Sequence, residues 1–267
     1  MTASKITTAV LREMKARGER IVALTAYDHL FASLLDQAGV DLLLVGDSVA
    51  TVLQGRDTTV SVTMAQMLYH CELVARAAQR AFVVGDMPFL SYQVSAEEAL
   101  RNAGAFLKEG HVEAVKLEGG APFAATVRRL VDAGIPVMGH VGLTPQSIHQ
   151  FGSYKARGVD PQEARHIVDD AVCIEQAGAF ALVLEKVPAE LGQQVAQRLQ
   201  IPVIGIGAGP HTDGQILVTP DMLGMFTRFR PRFVRRYLEL ASTIGDAITR
   251  FAEDVRKGRF PGAGESY

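Results

Sequence analysis

A closed (β/α)8 barrel of the α/β class is the fold this sequence predicts, with a capping helix before the first strand and a helical extension after the last. Three observations predict it. Eight short apolar runs recur along the 267 residues. A repeated phrase, helix then Ala-Gly then strand, stands at Ala38-Gly39, Ala133-Gly134 and Ala177-Gly178. Several apolar runs end in a charged side chain, as parallel strands do when their carboxyl ends gather at one rim. The length suits a single domain over 1–267, since one such barrel reaches about 250 residues.

Taken in order, Ser4–Arg17 carries Val10, Leu11 and Met14 on one side and reads as an amphipathic helix that plugs the closed end of the barrel. The first strand is 21–26. Asp28 then precedes a helix bearing Phe31, Leu34 and Leu35, which Gly39 ends as a C-cap. The remaining strands are expected at 42–46, 82–85, 114–117, 137–140, 181–184, 203–206 and 215–218. Helix starts are marked by the capping-box spacings Thr63 with Gln66 and Ser95 with Glu98, and by Pro122, Pro161 and Pro188 in first turns. Gly110 ends its helix as the Ala-Gly pairs do. Pro136 and Pro202 sit where helices stop and strands begin. The Gly-rich stretch Val141–Val159 is either a mobile lid or a plain surface excursion. Beyond the last strand, Phe233, Val234, Tyr237, Leu238, Ala241, Ile244, Ile248 and Phe251 mark one or two amphipathic helices that close the barrel or build an oligomer contact.

Composition excludes some function classes. With a formal charge of -2, the chain has no global attraction for nucleic acid or an anionic membrane. The local cluster Arg228, Arg230, Arg232, Arg235 and Arg236 reads as a solvated face or subunit contact. Cys71 and Cys173 lie far apart without ligand spacing, so reduced core thiols are expected. The polar stretch Met1–Val10 lacks an apolar leader, and no run approaches the roughly 18 apolar residues of a membrane span. A soluble, cytoplasmic protein is expected.

In this fold, chemistry sits at the carboxyl ends of the strands. Strand 2 ends in Asp47-Ser48, strand 3 in Asp86, strand 4 in Lys116-Leu117-Glu118, strand 5 in His140 and strand 6 in Glu185. Asp47, Asp86 and Glu118, with no thiolate nearby, match a hard cation such as Mg2+ held by oxygen ligands. A 2-oxo acid can present its carbonyl and carboxylate oxygens to such an ion, which then stabilises an enolate. Glu185, on a separate strand, fits the base that removes the adjacent proton. Lys116 would pair with the substrate carboxylate or enolate oxygen, Ser48 would donate to the same carboxylate, and His140 would orient a rim group or exchange protons. The structural alternatives are a turn or N-cap role for each Gly-Asp and an interior pair for Lys116 and Glu118. Gly205–Gly209 reads as a tight turn rather than a phosphate cradle, because it lacks dinucleotide spacing.

Six segments together resemble one family: Thr25-Ala26-Tyr27-Asp28, Val45-Gly46-Asp47-Ser48, Asp86-Met87-Pro88-Phe89, Val115–Gly120, Gly139–Gln146 and Ile204–Gly209. In this order they are similar to the ketopantoate hydroxymethyltransferases, from the N-terminal helix to about Gly224. The resemblance implies a Mg2+-dependent barrel enzyme of pantothenate synthesis. Such an enzyme transfers a one-carbon unit from 5,10-methylenetetrahydrofolate to 3-methyl-2-oxobutanoate, giving 2-dehydropantoate. By motif matching it implies that Asp47 and Asp86 bind the metal, with Glu118 at or near it. It likewise implies that Asp47, Ser48, Asp86 and Lys116 contact the oxo acid, and that Glu185 accepts the proton. The family's homodecamer gives the C-terminal helices an interface role. Against the family pattern, Lys186 stands where a neutral residue is usual.

Two rival readings remain at this point. One is a metal-dependent carbon-carbon lyase of the isocitrate lyase and phosphoenolpyruvate mutase type, whose Lys-Lys-Cys-Gly-His loop this chain lacks. The other is a non-catalytic barrel that only binds an oxo acid, which would leave the base position without an acid, whereas Glu185 is there.

Overall fold

The computed structural model describes residues 4–267, so Met1–Ala3 of the polar N-terminal stretch lie outside the described residues. Eight parallel strands close on themselves: β1 Ile21–Thr25, β2 Leu42–Val45, β3 Phe82–Asp86, β4 Ala114–Glu118, β5 Val137–Gly142, β6 Ala181–Glu185, β7 Val203–Ile206 and β8 Gly214–Leu217. β8 pairs with β1 through Ile21 opposite Gly214, which completes the ring. Strands buried on both faces read as near-continuous apolar runs. That is why all eight lie within two residues of their expected ends.

The helices in chain order are α1 Thr8–Ala16, α2 His29–Gln37, α3 Val49–Val52, α4 Met64–Ala77, α5 Ala96–Lys108, α6 Ala124–Asp132, α7 Ile148–Phe151, α8 Pro161–Gln176, α9 Ala189–Arg198, α10 Thr219–Met222 and α11 Leu240–Arg256. None is long and apolar enough to cross a membrane among the described residues. Thr63 with Gln66 forms the expected capping box in full, and Ser95 accepts from the Glu98 N–H, one half of its box. Pro161 opens α8 as expected, and Asp28, which was not among the expected start signals, accepts from the Phe31 N–H. Pro188 is the N-cap of α9 rather than its first turn.

α1 is shorter than the expected Ser4–Arg17 and starts after Thr7, whose hydroxyl accepts from the Val10 N–H. It buries Leu11 and Met14. Its Lys15 ammonium donates to the carbonyls of Ala196 and Ile201 and to Asp213 at 2.8–3.0 Å, which seats the helix at the amino ends of β7 and β8.

Gly39, Gly134 and Gly178 all take positive φ, as C-caps do. Gly110 does not. The left-handed residue there is His111, at φ 54, and Gly110 is required for space, since a Cβ would stand 2.7 Å from the Phe106 carbonyl. Cys71 is buried, whereas Cys173 is only half-buried.

This barrel unit ends at Leu217, and Val218–Tyr267 forms a second compact unit. Within the latter, one of the expected one or two helices forms, and the Phe233–Leu238 part of the apolar pattern is not helical. That segment is irregular, and its backbone is held instead by the Tyr237 N–H on Met222 and the Arg236 guanidinium on Phe226. The like charges of Arg228, Arg232 and Arg236, spaced four residues apart, disfavour a helix there. α11 takes only the Ala241–Phe251 part of the pattern and leaves Ile244, Ile248, Phe251 and Val255 exposed.

Candidate active site

Each expected site residue lies at a carboxyl end of the barrel. The parallel register sets Asp86 beside Lys116, Glu118 beside His140 and Gly142 beside Glu185. Asp47 and Ser48 follow β2 after Gly46. Asp47, Asp86, Lys116, Glu118 and His140 are buried, and Glu185 is partly open to solvent.

The centre is a lysine among acids. Lys116 Nζ donates to Asp86 Oδ1 at 2.7 Å and stands 3.7 Å from Glu118 Oε1. Burial alone would lower its pKa, but the Asp86, Glu118 and Asp47 charges outweigh burial and hold the ammonium above its usual range. The other Asp86 oxygen accepts the Asp47 backbone N–H at 3.2 Å.

His140 bridges two acids. Nδ1 lies 3.2 Å from Glu118 Oε1 and Nε2 lies 3.3 Å from Glu185 Oε2. Neither nitrogen makes an aligned hydrogen bond, so these contacts are chiefly electrostatic. Burial and Lys116 pull the imidazolium pKa down, while Glu118 and Glu185 overcome both and raise it to about 9. Glu118 is held below the ordinary carboxylate range: burial pushes it up, and His140, Lys116 and the Gln146 N–H more than offset that.

Asp47 behaves in the opposite way. Burial, then repulsion from Asp86 and Glu118, raises its pKa to about 8. The carboxylates of Asp86, Glu118 and Glu185 outnumber the two cations Lys116 and His140, and Asp47 adds a fourth acid that keeps its proton until about pH 8, so the rim is short of positive charge. Glu118 Oε1 also lacks an aligned hydrogen-bond donor. A divalent cation fits this donor set. Among the described residues no three His, Cys, Asp or Glu converge as a ready metal cage, but magnesium commonly takes only one or two protein carboxylates and fills its other positions with water and substrate oxygens.

Sequence reasoning missed Gln146. Its buried amide donates to Asp47 Oδ2 and to the Met87 carbonyl, both at 3.0 Å, while its backbone N–H donates to Glu118 Oε2 at 3.0 Å. The Tyr92 hydroxyl donates to Gln146 Oε1 at 2.7 Å and accepts the Glu118 N–H at 3.1 Å. Gln146 lies in one of the segments quoted for the resemblance, yet it follows β5 by four residues rather than ending a strand. Tyr27 was missed as well; its hydroxyl lies 2.8 Å from Ser48 Oγ and fixes that side chain.

The Val141–Val159 stretch contains the end of β5, a short turn and α7, followed by an irregular loop from Gly152. Gly209 packs its backbone against Ala189, where a Cβ would come within 2.5 Å. Gly205 and Ile206 belong to β7, and only Gly207–Gly209 of the expected turn forms the close-packed turn.

Barrel and rim define the class: a (β/α)8 enzyme whose ionisable side chains gather at the carboxyl ends of its strands. The sequence model of the ketopantoate hydroxymethyltransferase family matches residues 5–263. The chain is 56% identical over 266 residues to the 3-methyl-2-oxobutanoate hydroxymethyltransferase of Prosthecochloris aestuarii, covering 98% of this chain and 96% of that one. It is 53% identical to the enzyme of the same name from Syntrophus aciditrophicus, covering 98% and 97%. The chain belongs to the ketopantoate hydroxymethyltransferase family. Among solved structures, a phosphonopyruvate hydrolase complexed with oxalate and Mg2+ aligns with TM-score 0.63 at 14% identity over 97% of this chain and 93% of that one. A 2,3-dimethylmalate lyase of the phosphoenolpyruvate mutase and isocitrate lyase superfamily aligns with TM-score 0.58 at 18% identity, covering 96% and 88%. These two share the fold; the family is set by the closer sequences.

Proposed function

We propose that this chain, in keeping with its family, transfers a hydroxymethyl group from 5,10-methylenetetrahydrofolate to 3-methyl-2-oxobutanoate, giving 2-dehydropantoate for pantothenate synthesis. The observation that carries the residue assignment is the Lys116 ammonium, buried among Asp86, Glu118 and Asp47, with Glu185 on the far side of His140.

Asp47 and Asp86 would hold Mg2+, with Glu118 at or near it. The ion would polarise the oxo group and steady negative charge on its oxygen. Asp47, Ser48, Asp86 and Lys116 line the place of the oxo acid. Lys116 supplies positive charge to its oxygens, and the Ser48 hydroxyl, oriented by Tyr27, donates to its carboxylate. Glu185 takes the proton from C3, and the cationic His140 beside it keeps the carboxylate turned toward the substrate. Water releases the one-carbon unit at the formaldehyde level, both C–N bonds to the folate breaking and the two protons of the water going to its nitrogens; the carbanion formed at C3 adds to that carbon, and the new alkoxide takes back the proton held by Glu185.

We also place the enzyme in the cytoplasm as a homo-oligomer, the decamer implied by the resemblance. The free cysteines support the first, and the exposed apolar stripe of α11 supports the second.

The test is proton exchange at C3 of 3-methyl-2-oxobutanoate in heavy water with Mg2+ and no folate, followed by NMR. The folded protein should wash the signal out. A C3 signal that stays intact rejects enolisation at this rim. Product formation with folate, run beside isocitrate cleavage, then separates the transferase from the lyase reading.

A further inference from the structure

Lys186 follows Glu185 directly, at the point where β6 turns back toward α9. It is one of three non-glycine residues with positive φ among the described residues, at φ 51. A side chain held in that conformation is uncommon and points to a reason for the geometry. Here the backbone of Lys186 is fixed on both sides: its N–H donates to the Ile206 carbonyl at 2.8 Å, and its carbonyl accepts the Arg157 N–H at 2.9 Å. The ammonium reaches across and donates to the Tyr154 carbonyl. Two ties thus join the residue after Glu185 to the loop that follows α7.

The far half of the loop has separate anchors. Arg157 stacks on the Phe151 ring at 4.1 Å and pairs with Glu163, whose other oxygen accepts the Gly158 N–H at 2.7 Å. These contacts fix the loop to the start of α8. They leave Tyr154 to be fixed from the β6 side. Its half-exposed phenol feels the rim: burial, then the charges of Asp47, Glu185 and Glu118, raises its pKa.

We propose that Lys186 is a positioning residue, whose ammonium pins the Tyr154 carbonyl so that the loop Gly152–Gly158 is held beside Glu185 before any substrate binds. A charge-assisted hydrogen bond to one carbonyl suits this role, since it restrains the loop more than a neutral contact would. The kinetic part of this inference rests on the function proposed above; the loop geometry does not.

Hydrogen exchange on the full chain without substrate tests it, read at the Arg157 amide and in peptides spanning 152–158. Lys186→Met removes the ammonium and keeps the bulk. Lys186→Asn shortens the side chain and tolerates positive φ. Both should speed exchange of the loop about tenfold or more, the scale of one lost charge-assisted hydrogen bond. Peptides of β7 should stay unchanged, and Lys186→Arg should restore protection. In the transfer assay both variants should raise KM more than they lower kcat. Loop exchange that matches the parent in both folded variants overturns the proposal, as does faster exchange that Lys186→Arg leaves unrestored. A loosened loop in a protein with no transferase activity would retain the latch and reject the function; an active enzyme with an unaltered loop would do the reverse.

Discussion

His140 and Glu185 meet at 3.3 Å, Nε2 against Oε2, across the pair β5 and β6. This contact places a cation beside the base proposed for the reaction. Glu185→Gln should slow C3 exchange by about 10²-fold or more and leave oxo-acid binding nearly intact. Unchanged exchange in that variant would move the base elsewhere. His140→Asn should slow exchange as well, because it releases Glu185 and leaves the buried Glu118 with only Lys116 and the Gln146 N–H to offset its charge.

The same histidine sets a pH trend. Its folded pKa of about 9 lies above the ordinary 6.5, so its contribution is full below about 6.5 and disappears as pH rises through 9. Asp47, raised from 3.8 to about 8, keeps its proton in the fold after the unfolded chain has lost it, so stability also falls over that window. Thermal melts of the metal-free protein should therefore decline from pH 6.5 to 9. In His140→Asn the decline should shrink, and a parallel curve would contradict the assignment.

Magnesium should reverse part of that decline. Binding has to displace the proton from Asp47, so the rise in Tm with Mg2+ should be larger at pH 8.5 than at pH 5.5. Calorimetry near pH 7 in buffers of different ionisation enthalpy should register proton release, which Asp47→Asn abolishes. Asp86→Asn should weaken Mg2+ binding. Equal affinity would remove Asp86 from the ligand set.

Gln146→Leu should unsettle Asp47 while the backbone N–H bond to Glu118 stays. It deprives Asp47 Oδ2 and the Met87 carbonyl of their amide donor at a buried site, each at a cost of about 1–3 kcal/mol. Lower Tm and weaker Mg2+ binding should appear in the same variant. A lower Tm with parental Mg2+ affinity would limit Gln146 to packing.

Gly142→Ala should displace the base from behind. Gly142 has φ 93, and a Cβ there would stand 2.4 Å from the Glu185 carbonyl. The expected outcome is a fall in kcat of about tenfold or more with substrate affinity retained, since small misplacements of a reacting group are costly. Parental kcat would mean that β6 absorbs the clash.

Much of this was legible in the sequence because buried parallel strands leave apolar runs and their polar ends announce the rim. Asp47, Asp86, Lys116, Glu118, His140 and Glu185 were all found that way. Gln146 and Tyr92 were not, since they reach the rim from loops and carry no charge to mark them. The Phe233–Leu238 part of the apolar pattern is irregular because spaced apolar residues record which side chains prefer burial, while the like charges of Arg228, Arg232 and Arg236 disfavour a helix over them. At Gly110 the residue type was right for a C-cap, but the crowding of Phe106 was the operative constraint, and crowding is visible only in three dimensions.

Lys15, tied to the amino ends of β7 and β8, has a consequence for where the chain can be altered. The N-terminal helix is anchored at the end of these strands opposite the ionisable rim, so a substitution at Lys15 bears on the stability of the barrel and leaves the acids and cations of the rim in place.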